Sequence, residues 1–510
     1  MSSQERTQGE HSGFPLIAKV LIWRQLLWGA AFYGTYVLIT KYFLNELNYS
    51  EADTLMMMGA FGAVGPVFSA IGGFVADRYI GSYRAVYIGY TVYTVGFALL
   101  GIGASMVSIP LSIFAIALIG YSRGLSATSP TVLLGNAFGR GRDMAFQQGL
   151  TVNYAINNFG SFLSQYLFPF MIAYVAYTGN FFISSVLMVL TLVLFFVYHK
   201  RLVETGNHLD KQSVSARVWL GFFLGSVLML GLVYWIFANL EAGKYFLYSL
   251  GCIAILYFVV ETFRESPEYR YKMSAVLITI LILIGFYFYY GQMVTAMNLY
   301  SINLMGGHLF GFIPVRPESN LAFNPLWCCI MGGPLVAVYA WLEKHHISPS
   351  IPAKFGVAMI FCAMAFGVLA LSTQFVGADG KVAADWVLWA NFLQSTAELI
   401  VGALGAGYIF QLVPERMSAF AIGLRSVALS LSGILAASMS TSIALPKGQI
   451  ITQTVIDAVY AGYFFKLAVM ALVMAVLTFI LARIITRLVK KGENIKDASG
   501  RVQHATANAH

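Results

Sequence analysis

Charged residues are scarce in this chain of 510 residues. Asp, Glu, Lys and Arg make up only 10% of the sequence, whereas hydrophobic residues make up 58% and the mean hydropathy is +0.73. A soluble globular domain has about a quarter of charged residues. The composition therefore excludes an ordinary water-soluble protein and predicts one that lies in a lipid bilayer.

Cysteine is also rare. The four cysteines, Cys252, Cys328, Cys329 and Cys362, lie in apolar stretches without the spacing of a zinc site. We therefore expect neither a disulfide framework nor a metal centre, and no cofactor. The polar first thirteen residues are not followed by a short apolar core with a small-residue cleavage site, so the first hydrophobic segment is expected to stay in the mature protein.

The net charge of +9 raises the question of a nucleic-acid partner. The basic residues, however, fall in the loops between apolar runs rather than on one face, so no nucleic acid is expected. If the N-terminus lies inside, the inner loops hold far more Lys and Arg than the outer loops. By the positive-inside rule, both termini are expected in the cytoplasm, with the chain in the inner or plasma membrane.

Apolar runs long enough to span a bilayer, which takes about 20 residues, occur fourteen times along the chain. Six come first, two lie in the middle and six follow. The predicted helices are near 22–45, 54–76, 86–106, 109–137, 145–175 and 179–199, then 218–240 and 244–264, then 272–300, 324–343, 352–373, 385–412, 416–441 and 457–489.

This layout predicts four parts. They are an N-terminal six-helix bundle (1–201), a linker with two extra transmembrane helices (202–271), a C-terminal six-helix bundle (272–491) and a cytoplasmic tail (492–510). Two six-helix halves are the layout of a secondary transporter of the major facilitator type, in which the halves move about a site near the bilayer midplane. The predicted fold is an all-α integral membrane protein of this type, with fourteen transmembrane helices.

One acidic residue falls near the middle of a predicted span. Glu398 lies about 20 Å from the outer end of its helix at 1.5 Å per residue, where a charged group costs about 2.5 kcal/mol or more and marks a functional site. The alternative is an acid that is protonated or paired with a neighbouring helix. Arg425 lies about 13 Å from the inner end of the next helix, within reach of Glu398 or of a substrate carboxylate.

Arg123 is a further buried charge, near the middle of the predicted fourth helix. It precedes Ser129 by six residues, a rotation of about 240°, so the two residues do not share a face. Arg123 is therefore expected to face a neighbouring helix rather than a cavity. Arg24 and Lys41, near the two ends of the first helix, are expected to extend to the membrane surface.

Polar side chains recur at helical spacing in two predicted helices. The stripes consist of Gln25, Gly29, Phe32 and Tyr36 in the first helix and of Tyr154, Asn158, Ser161 and Gln165 in the fifth. Gln292 and Asn298 add amide groups in the first helix of the C-terminal set. Hydrogen bonds between helices explain any one of these residues, but the two stripes together predict a solvated cavity.

The stretch GGFVADRYIGSYR, residues 72–84, lies between the second and third predicted helices. Gly72 and Gly73 are expected to let two helix backbones approach closely. Asp77, Arg78 and Arg84 are expected to form a conformational latch on the inner face, through ion pairs or contacts with helix dipoles. The alternative is an ordinary short inner loop, which also needs glycine and positive charge.

The same stretch resembles a known signature. Its Gly72-Gly73, Ala76-Asp77-Arg78, Gly81 and Arg84 are similar to the loop motif of the major facilitator superfamily, in the form found in proton-dependent oligopeptide transporters. Other stretches resemble helices 4, 5, 8 and 10 of that family, in the right order: GLSATSP (124–130), YAINNFGSFLS (154–164), FNPLW (323–327) and STAEL (395–399). The resemblance covers nearly the whole chain and implies the same fold, including the extra helix pair of bacterial members.

The chain departs from this family at several charged positions. Gln25, Trp28 and Gly29 replace two glutamates and an arginine of helix 1, and only Phe32 and Tyr33 resemble the family's paired tyrosines. Further replacements are Tyr36 for a second arginine, Ser129 for the helix 4 lysine and Gly291 for the helix 7 glutamate. Glu398 matches the family's helix 10 glutamate. The resemblance therefore identifies an atypical member of the family. It lacks many of the residues with which the family handles protons and binds the ends of a peptide.

Residues and resemblance together predict a secondary active transporter rather than an enzyme. It is expected to act as a monomer and to move a small peptide or peptide-like molecule with a carboxylate, with proton coupling left open. Arg425 is the expected partner of the substrate anion, and Glu398 the partner of its amine or the proton carrier. The other expected binding residues are Tyr33, Tyr36, Ser129, Asn158, Gln292 and Asn324.

Two alternatives stay open. A non-peptide carboxylate metabolite or a carboxylate siderophore is the alternative substrate, because the missing helix 1 acids and helix 4 lysine are what the resembled family uses for peptides. A non-transporting membrane receptor or scaffold is the alternative of another class. The buried charges, and the lack of an appended domain beyond the tail at 492–510, favour transport.

Overall fold

The computed structural model describes residues 13–139 and 142–507, and most of them are helical. In chain order the elements are α1 Leu16–Asn45, α2 Glu51–Val75, α3 Ser82–Ser105, α4 Ile109–Ser126, α5 Ser129–Phe138, α6 Asp143–Val197, α7 His199–Thr205, α8 Ala216–Ala238, α9 Leu240–Arg264, α10 Pro267–Gly291, α11 Ala296–Leu304, β1 His308–Leu309, β2 Ile313–Pro314, α12 Phe323–Lys344, α13 Ile351–Ser372, α14 Ala384–Gln411, α15 Ser418–Ser440, α16 Gln453–Val455 and α17 Gly462–Ala507.

Short stretches of tighter or wider helix extend several of these elements. The π-helical turns are Ala76–Ile80, which follows α2, and Ile456–Ala461, which leads into α17. The 3₁₀ turns are His208–Lys211, Pro317–Ala322, Glu415–Met417 and Thr441–Ile443. Strands β1 and β2 pair antiparallel, with Leu309 opposite Ile313, and form a small hairpin before α12.

Twelve helical stretches in the described part of the chain are long and apolar enough to cross a membrane. Helix α1 is a further helix of 30 residues. Helix α6 has a non-helical residue, Ala176 (φ 54°, ψ −171°), which divides it into two helices where the sequence predicts a turn between residues 175 and 179. With α1 added and α6 counted as two, the described residues contain the fourteen predicted helices. The predicted all-α membrane protein is confirmed.

Two predicted helices are interrupted. The predicted helix 109–137 consists of α4 and α5. Pro130 lies in the first turn of α5, where backbone N–H groups have no partner within the helix, so a proline costs no hydrogen bond there. The predicted helix 272–300 consists of α10 and α11, which are separated at Thr295 (φ −112°, ψ −96°). Hydropathy does not reveal such breaks, because the apolar run continues through them.

The chain divides into two compact units. Unit 1 comprises Met1–Leu38 and Phe68–Tyr234, and unit 2 comprises Ile39–Val67 and Trp235–His510. The sequence-based division at residues 201, 271 and 491 stays a prediction. Residues 508–510 of the predicted tail lie outside the described residues, and residues 492–507 continue α17.

Close helix packing in unit 1 depends on glycine at residue 72. A Cβ atom there would lie 2.2 Å from the carbonyl oxygen of Gly124, so any side chain would push α2 away from α4. A Cβ atom at Gly73 would lie 3.0 Å from Thr128 Oγ1. The predicted close approach of two helix backbones is therefore confirmed at Gly72, whereas Gly73 packs against a side chain.

Candidate functional site

Glu398 lies on α14, in unit 2, with neutral polar groups around its carboxylate. Its Oε2 accepts a hydrogen bond from Asn324 Nδ2 at 2.7 Å, and the same amide donates to Ser395 Oγ at 3.0 Å. Cys328, one turn after Asn324 on α12, places its Sγ 3.8 Å from the same oxygen. The structure thus brings together two of the predicted binding residues, Asn324 and Glu398.

Arg425, on α15 of unit 2, is held by a tyrosine. Its Nη1 donates to the hydroxyl of Tyr287 at 2.6 Å, and its buried Nε has no hydrogen-bond partner among the described residues. Tyr287 packs edge-on against Tyr290 at 6.5 Å between ring centroids, and Tyr290 hydrogen bonds to Glu398. Two tyrosines of α10 therefore link the arginine to the acid.

The two charges do not touch directly. In the described part of the chain, no ion pair of 4 Å or less joins Glu398 and Arg425. A carboxylate that hydrogen bonds to neutral amide and hydroxyl groups changes its protonation state without breaking an ion pair. Glu398 and Arg425 therefore do not neutralise each other by direct contact among the described residues.

Gln292 is fully buried and serves as a junction of three helices. Its Oε1 accepts hydrogen bonds from Tyr463 at 2.8 Å and from Ser440 at 3.0 Å. Asn298, on α11, donates to Thr40 at 3.0 Å. These contacts are the interhelical hydrogen bonds that the sequence offered as the alternative to a cavity.

Unit 1 contains a cavity of about 200 Å³ among α1, α3, α4, α5 and α6. Two arginines contribute to its wall. Its polar lining residues include Arg24, Gln25, Tyr90, Arg123, Thr131 and Asn153. No acidic residue is among the described residues that line it.

Arg24 is enclosed rather than extended to the membrane surface. It is only 4% exposed, it donates a hydrogen bond to the hydroxyl of Tyr90, and its Nε has no partner among the described residues. The expectation that Arg24 reaches the surface is wrong, because α3 supplies a partner that the first helix does not reveal. In unit 2, Lys41 keeps 30% of its side chain exposed and pairs with Glu318 at 2.5 Å.

Arg123 lines the cavity, contrary to the expectation that it faces away. Its guanidinium lies 5.1 Å from the ring centroid of Phe32, against which Tyr33 packs edge-on at 5.1 Å and Tyr36 stacks at 5.9 Å. Ser129, at 1% exposure, is buried. The rotation of 100° per residue does not apply between residues 123 and 129, because α4 ends at Ser126.

Asn158 is bound to its own helix, and its neighbour makes the contact with α1. Asn158 Nδ2 donates to the carbonyl oxygen of Tyr154 at 3.0 Å. Asn157, which the stripe analysis missed, accepts from Gln25 Nε2 at 2.8 Å, and a Cβ atom at Gly29 would lie 3.0 Å from it. The spacing of four residues between Gln25 and Gly29 indicates that this face of α1 meets another helix. It does not show whether Asn157 or Asn158 makes the contact.

The predicted latch residues differ in their contacts. Asp77 and Arg78 are exposed, and neither forms an ion pair within 4 Å in the described residues. Arg84 is half-buried, and its guanidinium donates to the carbonyl oxygens of Leu209 at 2.8 Å and of Gln212 at 2.7 Å. Of the three residues, Arg84 is the one that ties this loop to another segment of unit 1.

Asp210 completes this attachment and was missed by the sequence analysis. It is 4% exposed and accepts the backbone N–H groups of Tyr83 at 3.0 Å and of Arg84 at 3.3 Å. A Cβ atom at Gly81, whose φ is +96°, would lie 2.1 Å from the Asp210 carboxylate. Glycine is therefore required at residue 81 both for the backbone conformation and for the space that Asp210 occupies.

Comparisons with known proteins place this arrangement in a family. Residues 83–456 match the POT family. The chain is 27% identical over 475 residues to dipeptide and tripeptide permease A of Edwardsiella piscicida, a match that covers 93% of this chain and 95% of the permease. It is 26% identical over 478 residues to dipeptide and tripeptide permease B of Xenorhabdus bovienii, with 94% and 96% covered.

Solved structures are similar over almost the same length. Tetrameric PepTSo2 superimposes with a TM-score of 0.82 at 22% identity, over 92% of this chain and 98% of that one. A bacterial homologue of the human drug peptide transporters PepT1 and PepT2 gives a TM-score of 0.80 at 22% identity, over 92% and 99%. The likeness confirms the predicted fold class. Because the family match spans most of the sequence, the chain belongs to the POT family of multi-pass membrane transporters.

Proposed function

We propose that this protein is a secondary active transporter that carries short peptides, or peptide-like molecules with a carboxylate, across a cell membrane by alternating access. Its membership of the POT family supports this proposal. So do the names of its relatives, dipeptide and tripeptide permeases that align with more than nine-tenths of the chain. Such a protein moves its substrate without making or breaking a covalent bond.

The observation that carries the proposal is the environment of Glu398. Its carboxylate lies inside a membrane-spanning helix and is held by the neutral amide of Asn324. An amide both donates and accepts hydrogen bonds, so Asn324 suits the ionised and the protonated carboxyl alike. Because ionisable groups in membrane-spanning segments mark substrate or proton pathways, Glu398 is the proposed partner of the substrate amine or the proton carrier.

Arg425 is the proposed partner of the substrate carboxylate. The Tyr287 hydroxyl occupies one donor of its guanidinium, and its Nε makes no hydrogen bond within the described structure. The planar fork of a guanidinium matches a carboxylate in two hydrogen bonds. The contacts of Gln292 fit helix packing, so the proposed binding set in unit 2 consists of Asn324, Glu398 and Arg425.

We also propose that one chain is the transport unit and that both termini lie in the cytoplasm. The excess of Lys and Arg in alternate loops supports the orientation. A membrane-impermeant reagent should label a cysteine placed at either terminus only after the cells are opened. The mass of the protein in lipid nanodiscs should correspond to one chain, although the similar PepTSo2 is described as tetrameric.

Uptake by the purified protein in proteoliposomes tests the function. With an inward pH gradient, labelled Ala-Ala should accumulate above the level of protein-free liposomes, and unlabelled di- and tripeptides should compete. If polycarboxylates or carboxylate siderophores compete and peptides do not, the transported substrate is the alternative one, a non-peptide carboxylate. Absence of flux with every compound would favour the receptor or scaffold.

A further inference from the structure

A second cavity in unit 1 is mostly apolar. Its volume is about 520 Å³, within the roughly 300–1,000 Å³ of pockets that bind small molecules. Its walls come from α2, α4 and α8, and every described lining residue belongs to unit 1. The apolar lining residues include Phe68, Val75, Leu125, Phe222 and Met229. No acidic residue is among the described residues of its wall.

Glycines of α8 widen this cavity. Gly221 and Gly225 both line it, and their spacing of four residues puts them on one face of the helix. A Cβ atom at either glycine would meet no other atom within 4 Å. At the α2 wall, by contrast, a Cβ atom at Gly72 would lie 2.2 Å from the carbonyl oxygen of Gly124. Glycine therefore serves close packing between α2 and α4, whereas on α8 it leaves room beside the helix.

Described contacts between α8 and α4 include a hydrogen bond and an aromatic pair. Ser226 accepts a hydrogen bond from the Tyr121 hydroxyl at 2.7 Å, and Tyr234 packs edge-on against Phe114 at 6.3 Å between ring centroids. These contacts hold α8 near the bundle without filling the space beside its glycines. Because an apolar gap forfeits the dispersion contacts that a filled one gains, an apolar chain inside the cavity would stabilise this arrangement.

The charged residue among the described lining residues is Arg217, in the first turn of α8. It is exposed, and no carboxylate lies within 4 Å of its guanidinium in the described part of the chain. Tyr79, in the π-helical turn after α2, also lines the cavity. Arg84 donates to the carbonyl oxygen of Gln212 at 2.7 Å, which holds the start of α8 beside the loop that follows Tyr79. Arg217 and Tyr79 therefore lie at the same end of the cavity, as basic and aromatic residues do at the level of lipid headgroups.

The cavity has the depth of one membrane leaflet. The stretch of α8 from Arg217 to Met229 is about 18 Å long at 1.5 Å per residue. Half of a hydrocarbon core about 30 Å thick is roughly 15 Å. A lipid whose headgroup lies at Arg217 would therefore reach the other end of the cavity with an extended acyl chain. A peptide would leave backbone polar groups unpaired against these apolar walls, so the walls favour a lipid.

We propose that this cavity binds an anionic phospholipid from the membrane leaflet at the Arg217 end. The lipid phosphate lies at Arg217, whose planar guanidinium matches phosphate oxygens in two hydrogen bonds. One acyl chain extends along α8 past Gly221 and Gly225 and packs against Phe222 and Met229. The lipid thereby joins α8 to α2 and α4. This site goes beyond the proposed transport and does not depend on which molecule is transported.

Native mass spectrometry of the full-length protein in detergent counts bound lipids and measures their affinities. We expect wild type to bind one molecule of phosphatidylglycerol at least fivefold more tightly than phosphatidylcholine with the same acyl chains, because phosphatidylcholine has no net charge. Arg217→Gln should bring the two affinities close together. Arg201→Gln, which removes an exposed charge of unit 1 that is not among the described lining residues, should keep the full preference.

Gly225→Leu tests the position of the acyl chain. The leucine side chain would occupy the cavity, so the affinity for both lipids should fall at least fivefold. Gly231→Leu is the matched control on the same helix, because a Cβ atom there also meets no other atom within 4 Å and Gly231 is not among the described lining residues. This control should bind both lipids as wild type does.

Equal affinities of wild type for the two lipids would overturn the proposal, as would a headgroup preference that survives in Arg217→Gln. Unchanged binding in Gly225→Leu would place the lipid outside the cavity and overturn it too. If Gly225→Leu does not fold, Gly221→Leu decides the same question. A dimer of wild type that holds no lipid and dissociates in Gly225→Leu would assign the cavity to a second copy of the chain instead.

Discussion

The two units of this protein surround their membrane-embedded charges differently. In unit 1, Arg24 and Arg123 line one cavity, and no acidic residue is among the described residues of its wall. In unit 2, an acid and an arginine each hydrogen bond to a neutral residue, Glu398 to Asn324 and Arg425 to Tyr287. Arginines of fixed charge select anions, whereas a carboxylate beside an amide is suited to gain and lose a proton. The comparison predicts that proton handling belongs to unit 2 alone, and the following experiments test that separation.

The largest effect is expected at Glu398. Glu398→Gln keeps the shape of the side chain and a hydrogen bond to Asn324, but it cannot exchange a proton. Uptake driven by an inward pH gradient should fall to the level of protein-free liposomes, whereas counterflow exchange should persist, because exchange needs no net proton movement. Gradient-driven uptake that survives in Glu398→Gln would remove this acid as the coupling site.

The arginines provide the control for that experiment. Arg123→Gln should leave the dependence of uptake on the pH gradient unchanged. If Arg123→Gln also abolished gradient-driven uptake, unit 1 would take part in proton coupling, and the separation between the units would not hold.

The next effect concerns stability and compares one carboxylate of each unit. Asp210 accepts three backbone N–H groups in unit 1 and is 4% exposed. Glu51 accepts one backbone N–H and one side-chain amide in unit 2 and is half-buried. Since each buried donor left unpaired costs about 1–3 kcal/mol, Asp210→Ala should lower the free energy of unfolding by about 3 kcal/mol or more, and Glu51→Ala by about 1–2 kcal/mol.

Unfolding in a mixed detergent series measures both changes. Asp77→Ala is the matched control in the same loop as Gly81, and its exposed side chain predicts a change within about 0.5 kcal/mol. A loss at Asp77 as large as that at Asp210 would show that the attachment of this loop depends on the exposed acid instead.

A smaller difference is expected between two amides that the sequence grouped together. Gln292, in unit 2, accepts from two other helices, whereas Asn158, in unit 1, hydrogen bonds to its own helix. Gln292→Ala should destabilise the protein by about 2 kcal/mol and Asn158→Ala by less than about 1 kcal/mol. Thermal melts of the two variants compare them directly, and equal losses would contradict the structural role of Gln292.

The smallest effect is the coupling between Glu398 and Arg425. A direct buried pair costs about 3–5 kcal/mol when one partner is removed, but here two tyrosines separate the charges. The double-mutant cycle of Glu398→Gln and Arg425→Gln should give a coupling of about 0.5–1 kcal/mol. In a Tyr287→Phe background this coupling should vanish, and a coupling that persists would require a direct interaction in another state of the protein.

The helices were largely predictable from the sequence, because bilayer thickness fixes the length of an apolar run. The predicted helix 352–373 is observed as Ile351–Ser372, and the turn expected between 175 and 179 is observed at Ala176. Breaks inside a run, as at Thr295, were not predicted because they leave its hydropathy unchanged.

The site was predictable in part. The sequence singles out Glu398 and Asn324, because an acid in the middle of an apolar helix is conspicuous and the resemblance points to both residues, and the structure joins them by a hydrogen bond. Arg24, Asn157 and Asp210 were assigned wrongly or missed, because their partners lie 66, 132 and 127 residues away in the sequence. Most faces of these helices are apolar, so periodicity does not state which side of a helix meets which neighbour.

The attachment of Asp210 to the Gly81 loop also sets an order of events during biosynthesis. Asp210 leaves the ribosome 127 residues after Tyr83, a delay of roughly 6 to 25 s at about 5–20 residues per second. During that interval α3, α4, α5 and α6 enter the membrane while the loop around Gly81 still lacks its carboxylate. The final shape of an early loop is thus decided by one of the last residues of unit 1 to be synthesised before α8, and a translational pause placed between α6 and α8 should lengthen the time for which that loop stays open to proteases.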